Sequence, residues 1–295
     1  MAVGNGTIWG DFLQPVVQLL INEAELNHPY KNIDWELESS RYRNPQITYP
    51  EYYTQQDFYG IAGGYLNPRT AIAYDRITQY LLPPQETLVR QGIIDRIQGT
   101  PQRILDLGCG TGTSTQMLQD RFPQASTTGM DLSPYMLAIA SHKTKQKNPQ
   151  AALEIHWQQV NGEHTGFPAG YFDLITASLL FHETPVAVAQ GMIKECFRLL
   201  KGGGQFLILD HSQPLMRRLD WLQGVLEEPQ ILEPSLKNYA IESLDAWLGA
   251  AGFVAVSTQE LWLVHQLTTG FKPQPIQGSW PYPDLEINDF LGGFA

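Results

Sequence analysis

Residues 104–118, ILDLGCGTGTSTQML, leave the chain few folds to choose from. A short apolar run delivers Asp106 and then Gly108, Gly110 and Gly112, and an amphipathic segment follows at once. Alternating glycines allow a tight turn between strand and helix, and they bare backbone that a Cβ would shield from a ligand. A dinucleotide fingerprint wants G-x-G-x-x-G at such a junction, whereas here the third glycine falls at Gly112 and Thr113 holds the required place. Asp106 at the strand end is a poor neighbour for pyrophosphate. It suits either the turn's own amides or a ligand ammonium. The residues alone leave three readings: a ligand with an amino acid portion, a dinucleotide, or a plain tight turn.

From Arg103 onwards short apolar runs alternate with longer amphipathic segments, the mark of a parallel sheet with crossover helices. The pattern predicts strands at 103–107, 127–130, 153–158, 172–177 and 205–209, with helices at 113–121, 134–144 and 186–200. Lys201 and the glycines 202–204 read as the stop of the last helix. Residues 234–250 read as loop and helix, and the runs FVAVST and LWLVHQL as a hairpin closing one sheet edge.

Ahead of this core, helical spacing predicts helices at 11–26, 69–80 and 85–97, separated by a Tyr-, Pro- and Asn-rich stretch at 28–66. The expected organisation is therefore a mainly helical extension over 1–98 that covers the site and a core over 99–267. An acceptor-covering insertion is expected near 212–236, and a Pro- and aromatic-rich tail over 268–295.

The second anchor is Asp131, which ends the next predicted strand in GMDLSPYML. In an open parallel sheet that edge faces the ligand crevice, and a carboxylate there accepts both hydroxyls of a ribose. Its position about 25 residues past the glycine turn is close to that of the ribose acid in nucleotide folds. The alternative is a helix cap ahead of Pro134, a task Ser133 performs as well.

Charge narrows the partners. Nineteen Lys and Arg against 30 Asp and Glu give a net charge of -11 with no basic cluster, which disfavours nucleic acid and anionic lipid. Cys109 and Cys196 have neither zinc-type spacing nor the density of a disulfide framework, and no metal motif occurs. No signal-peptide pattern and no run of 18 apolar residues is present, so a soluble cytoplasmic chain without an integral membrane span is expected.

Taken together, DLGCGTG, GMDLSPYML, VNGEHTGFPAGYFDLI and RLLKGGGQFLILD resemble the class I S-adenosylmethionine-dependent methyltransferases, in the branch similar to quinone-biosynthesis and small-molecule methyltransferases. The resemblance covers residues 103–210. It implies an α/β, Rossmann-like seven-stranded methyltransferase sheet with helices on both faces, S-adenosyl-L-methionine as cofactor, and methyl transfer to a small organic acceptor, aromatic or prenylated. It further implies that Gly108, Gly110 and Gly112 surround the methionine and ribose portions, that Asp131 binds the ribose hydroxyls, that Met136 contacts adenine, and that Asp106, Leu132 and Ser178 belong to the cofactor site. Asn161, beside Gly162, stands where many relatives carry an acidic residue for the adenine amine; its amide oxygen can still accept. The segment QDFYGIAGGYLNPRTAIAYD resembles one that folds over the ligands, making Tyr65 and Tyr74 either ligand contacts or packing residues.

Topology supplies the remaining candidates. Ser178, Phe181, His182 and Glu183 follow the fourth predicted strand, and Asp210 and His211 follow the fifth. His182 and His211 are the expected catalytic bases, since imidazole takes a proton near neutral pH. Each is equally explained as a turn residue that satisfies backbone groups. Trp9, Trp35, Tyr52, Tyr53, Tyr59, Trp221 and Leu222 offer apolar material for an acceptor. A dinucleotide oxidoreductase and an inactive nucleoside-binding protein are the competing functions.

Overall fold

The computed structural model describes residues 33–55, 57–58, 61–81, 85–147, 149, 155–218, 235–262 and 264–274, with the isolated positions 19 and 22. The predicted helix at 11–26, the residues Trp9, Tyr59, Trp221 and Leu222, most of the 212–236 insertion and most of the tail lie outside them.

Seven strands form one sheet: β1 (Arg103–Leu107), β2 (Ser126–Asp131), β3 (Ile155–Gln159), β4 (Phe172–Ser178), β5 (Leu200–His211), β6 (Val254–Leu261) and β7 (His265–Phe271). Their order is β3-β2-β1-β4-β5-β7-β6, with only the β5–β7 and β7–β6 pairings antiparallel. The central strands are apolar almost throughout because both of their faces are covered. Leu105, Leu107, Ile175, Ala177, Phe206 and Ile208 point into one core, and Ile104, Leu174, Leu207 and Leu209 into the other.

Ten α-helices are described in chain order: α1 (Trp35–Ser40), α2 (Glu51–Thr54), α3 (Pro68–Leu81), α4 (Glu86–Ile94), α5 (Thr113–Arg121), α6 (Pro134–Lys147), α7 (Val186–Leu199), α8 (Gln213–Arg218), α9 (Leu236–Ile241) and α10 (Leu244–Ala251). Helices α7, α9 and α10 fill the first core, and α4 and α5 the second. In a third cluster Trp35 of α1 and Ala71 of α3 pack on Tyr135, Met136, Ala138 and Ile139 of α6, which brings the amino-terminal segment over the crevice end of the sheet. Trp35 thus serves packing. Among the described residues, no helix is long and apolar enough to cross a membrane.

Two local expectations are corrected. Residues 201–204 do not cap α7: the helix ends at Leu199 and Leu200 is already extended. The glycines form an irregular start to β5, with Gly203 at φ 81° donating its N–H to the Lys272 carbonyl at 2.8 Å. The run LWLVHQL is not a strand either, because the β6–β7 turn falls inside it. Leu261 owes its apolar character to packing, since a Cβ on Gly92 of α4 would lie 2.5 Å from its Cδ2. Strand β7 begins at His265 and carries the sheet to Phe271, past the expected core boundary at 267.

Candidate functional site

The carboxyl ends of β1 to β4 open into a crevice of about 780 Å³, part of it exposed to solvent. Gly108, Gly110, Asp131, Leu132, Met136, Asn161, Gly162, Ser178 and Tyr65, all expected at the cofactor, meet on its walls. Asp106, Gly112, His182 and His211 are not on them.

Asp131 is held in place by backbone. One carboxylate oxygen accepts the Gly110 N–H at 2.9 Å and the other the Ser133 N–H at 2.8 Å. Burial pushes its pKa up to about 6 against the pull of those bonds. Gly110, at φ 51°, has nothing near a hypothetical Cβ except Tyr74 at 3.9 Å, so its bare backbone faces the crevice. Asn161 accepts the Glu163 N–H at 2.9 Å, which leaves its amide N–H groups as well as one lone pair for a ligand.

Tyrosines close the opposite side. Tyr52, Tyr53, Tyr65 and Tyr74 all line the crevice. Tyr53 stacks on Tyr65 at 6.1 Å and on Tyr49 at 6.3 Å. Gln159 fastens this cover to the sheet: its amide donates to the Tyr49 hydroxyl at 2.7 Å and the Leu132 carbonyl at 2.8 Å, and accepts the Asn44 N–H at 2.6 Å. Ser133 adds a bond from its hydroxyl to the Tyr65 carbonyl at 2.6 Å. Burial raises the Tyr52 phenol to about 12 and also pushes the Tyr53 phenol well above its ordinary value, so both stay protonated donors.

Two expected cofactor residues work from behind the loop. Asp106 is fully buried and accepts the hydroxyls of Thr115 at 2.6 Å and Thr176 at 2.8 Å, tying α5 and β4 to β1. Gly112, at φ 80°, is required by packing, because a Cβ there would lie 2.6 Å from the Trp157 ring. Next to Asp106, a buried ion pair of Arg90 and Glu86 at 2.8 Å reaches the crevice through Ser114 and then Ser178, in steps of 2.8 and 3.0 Å.

The two histidines come together, their ring centroids 4.3 Å apart, in a buried cluster outside the crevice wall. His182 Nδ1 lies 2.6 Å from Asp210, whose carboxylate also accepts the N–H groups of Phe181, His182 and His211. Burial alone would raise Asp210, but His182 and these donors hold it below the usual carboxylate range. His211 stacks on His265 at 5.5 Å, and burial followed by repulsion from His182 lowers its pKa to about 3. An imidazole so hard to protonate is a weak base, and His211 is not on the crevice wall, so the structure does not favour the role expected of it.

The same lowering sets a pH dependence. The unfolded chain binds a proton at His211 near pH 6.5 and the folded chain only near 3, so stability present above 6.5 is lost as pH falls through that window. His211→Phe removes one proton from this balance. Urea unfolding between pH 6 and pH 4 should show a slope flatter than wild type by about 1.4 kcal/mol per pH unit; an unchanged slope would contradict the assignment.

None of the described residues lining the crevice is Lys, Arg or His, whereas Asp131 and Glu183 both are carboxylates. Two phosphates would find no countercharge there, while an ammonium or sulfonium would. The glycine spacing and this charge agree in disfavouring a dinucleotide. Sequence reasoning left Glu183 without a role and passed over Leu179, whose φ of 56° bends the chain at the crevice floor, and the Arg90–Glu86 pair. The i, i+4 spacing of Glu86 and Arg90 was the one available signal, and it is common on exposed helices as well.

Residues 104–204 match the model of a family described as "Methyltransferase domain". The demethylmenaquinone methyltransferase of Thermus thermophilus is 30% identical over 198 residues, 61% of this chain and 87% of that protein. The ubiquinone/menaquinone biosynthesis C-methyltransferase UbiE of Vibrio parahaemolyticus is 31% identical over 50% of this chain and 57% of that protein. Among solved structures, "PigF with SAH" superposes with a TM-score of 0.57 at 16% identity, covering 90% of this chain and 72% of that one, a likeness of fold.

Proposed function

Because the chain belongs to the class I S-adenosylmethionine-dependent methyltransferases related to those of quinone biosynthesis, we propose that it methylates an aromatic quinol, and that the tyrosine-walled end of the crevice holds the acceptor ring. The observation that carries this reading is one crevice with two unlike ends. At β1 to β3, Gly110, Asp131, Met136 and Asn161 fit a nucleoside that carries an amino acid. Beyond β4, where Tyr65 meets Glu183, Tyr65 and the Tyr53 ring stacked on it present apolar and π surface to a flat ring.

When bound, S-adenosylmethionine supplies an electrophilic methyl carbon on a sulfonium. The protein's contribution is position and exclusion. Asp131 fixes the ribose end, Asn161 and Met136 the adenine end, and the tyrosine cover keeps bulk water from the reacting centre. Holding acceptor, methyl and sulfur in line supplies much of the rate in such a displacement.

Methyl-labelled S-adenosylmethionine, incubated with the protein and short-chain reduced demethylmenaquinone, should give a labelled product one methyl group heavier by mass spectrometry. Absence of labelled quinol, with hydride exchange from a nicotinamide cofactor instead, would overturn the reading.

A further inference from the structure

One carboxylate stands at the acceptor end, and neither the family nor the cofactor assigns it a task. Glu183 closes a short 3₁₀ turn (Phe181–Glu183) directly after β4 and lines the crevice. The Tyr65 hydroxyl donates to its Oε1 at 2.7 Å. On the buried side, His182 Nε2 lies 3.6 Å from the same oxygen, while His182 Nδ1 is engaged by Asp210 at 2.6 Å. Three acidic or basic groups thus run in series from the crevice into the core: Glu183, His182, Asp210.

From this geometry, and resting on the methyltransferase reading above, we infer that Glu183 is the catalytic residue that takes the hydroxyl proton of the quinol acceptor, with His182 and Asp210 as its positioning residues. Asp210 is saturated by donors and has no access to the crevice, so its part is to orient the imidazole. His182 then presents Nε2 towards Glu183. Among the described residues, phenols also face this carboxylate: Tyr65 by hydrogen bond, and Tyr53 and Tyr74, whose ionisation its charge opposes. Among the described residues, none lining the crevice is a lysine or arginine.

The quinol hydroxyl proton passes to Glu183, leaving an electron-rich ring. A ring carbon forms the bond to the methyl carbon, and the carbon–sulfur bond breaks with its electron pair on sulfur, which becomes a neutral thioether. The methylated carbon then loses its ring hydrogen to water, and Glu183 returns its proton to the ring oxygen. One proton is released for each methyl group transferred, and the carboxylate is regenerated.

Glu183→Gln separates this role from mere attachment of the cover, because the amide oxygen can still accept the Tyr65 hydroxyl. With short-chain reduced demethylmenaquinone as acceptor, the variant should lose about 100- to 10,000-fold in kcat, the range of general acid–base catalysis. Calorimetry should show affinity for the demethylated cofactor unchanged within threefold. In the complex with that product, the quinol should bind about three- to tenfold more weakly to the variant, because a charge-assisted hydrogen bond becomes a neutral one. At saturating S-adenosylmethionine, where Asp131 no longer limits cofactor binding, the acidic limb of the wild-type kcat profile should vanish in the variant, and Glu183→Asp should restore part of the rate. Turnover by Glu183→Gln within threefold of wild type, or an acidic limb of kcat that persists in it under those conditions, overturns the inference. A wild-type protein that binds the cofactor but leaves this quinol unmethylated overturns the quinol reading and this inference with it. A wild-type protein that binds no cofactor defeats the methyltransferase reading itself.

Discussion

Replacing Asp131 with Ala should weaken binding of S-adenosylmethionine and of its demethylated product by at least about 100-fold. Two ribose hydroxyls donating to one carboxylate are worth about 1.5–3 kcal/mol each, and 1.4 kcal/mol is tenfold in affinity. The substitution also frees the Gly110 and Ser133 N–H groups that this carboxylate now holds, so the loop loses an anchor as well as a ligand. Asp131→Asn, which keeps an acceptor oxygen, should fall between the two. Because burial places the wild-type pKa at about 6, affinity should also decline as pH drops through 6, and this decline should be missing in the Asn variant. Calorimetry at pH 8 and at pH 5 measures both effects. Affinity of the Ala variant within threefold of wild type at pH 8 would remove Asp131 from the site.

The second large effect concerns stability. Arg90→Met should cost about 3–5 kcal/mol, because it strands Glu86 as a buried carboxylate with, among the described residues, the Thr78 hydroxyl as its remaining side-chain partner. That is a large share of the about 5–15 kcal/mol by which such proteins are stable. Burial works against the guanidinium's charge, yet Glu86 beside it raises the Arg90 pKa, so the guanidinium stays charged throughout ordinary pH. The double variant Arg90→Met, Glu86→Leu should recover most of the loss, since apolar replacement of a whole buried pair is often neutral. Guanidinium unfolding of the single and double variants measures the cycle. Equal stability of Arg90→Met and wild type would show that the pair is not coupled to the fold.

How far the sequence could be read depended on how local each constraint is. Strand β1, helix α5 and the glycine turn were legible to the residue, since backbone geometry and periodicity there are decided by neighbours in the chain. The same holds for Asp131, whose place at a strand end follows from topology alone. What stayed hidden was decided across the fold. Gly112 looks like a ligand glycine, and Trp157 of β3 adds a packing demand on it that no local pattern shows. The glycines at 202–204 look like a helix stop, but their partner is Lys272, some 70 residues on. His211 promised a base by its ordinary pKa, and three-dimensional burial beside His182 and His265 takes that basicity away. Glu183 gained its meaning only when Tyr65, 118 residues earlier, was found on its carboxylate.

The most direct test is the structure of a crystal grown with S-adenosylhomocysteine. The account predicts the ribose hydroxyls within hydrogen-bond distance of the Asp131 carboxylate, the adenine between Met136 and Asn161, and the sulfur turned towards Tyr65 and Glu183. A nucleoside bound elsewhere, or one whose ribose faces away from Asp131, would contradict it.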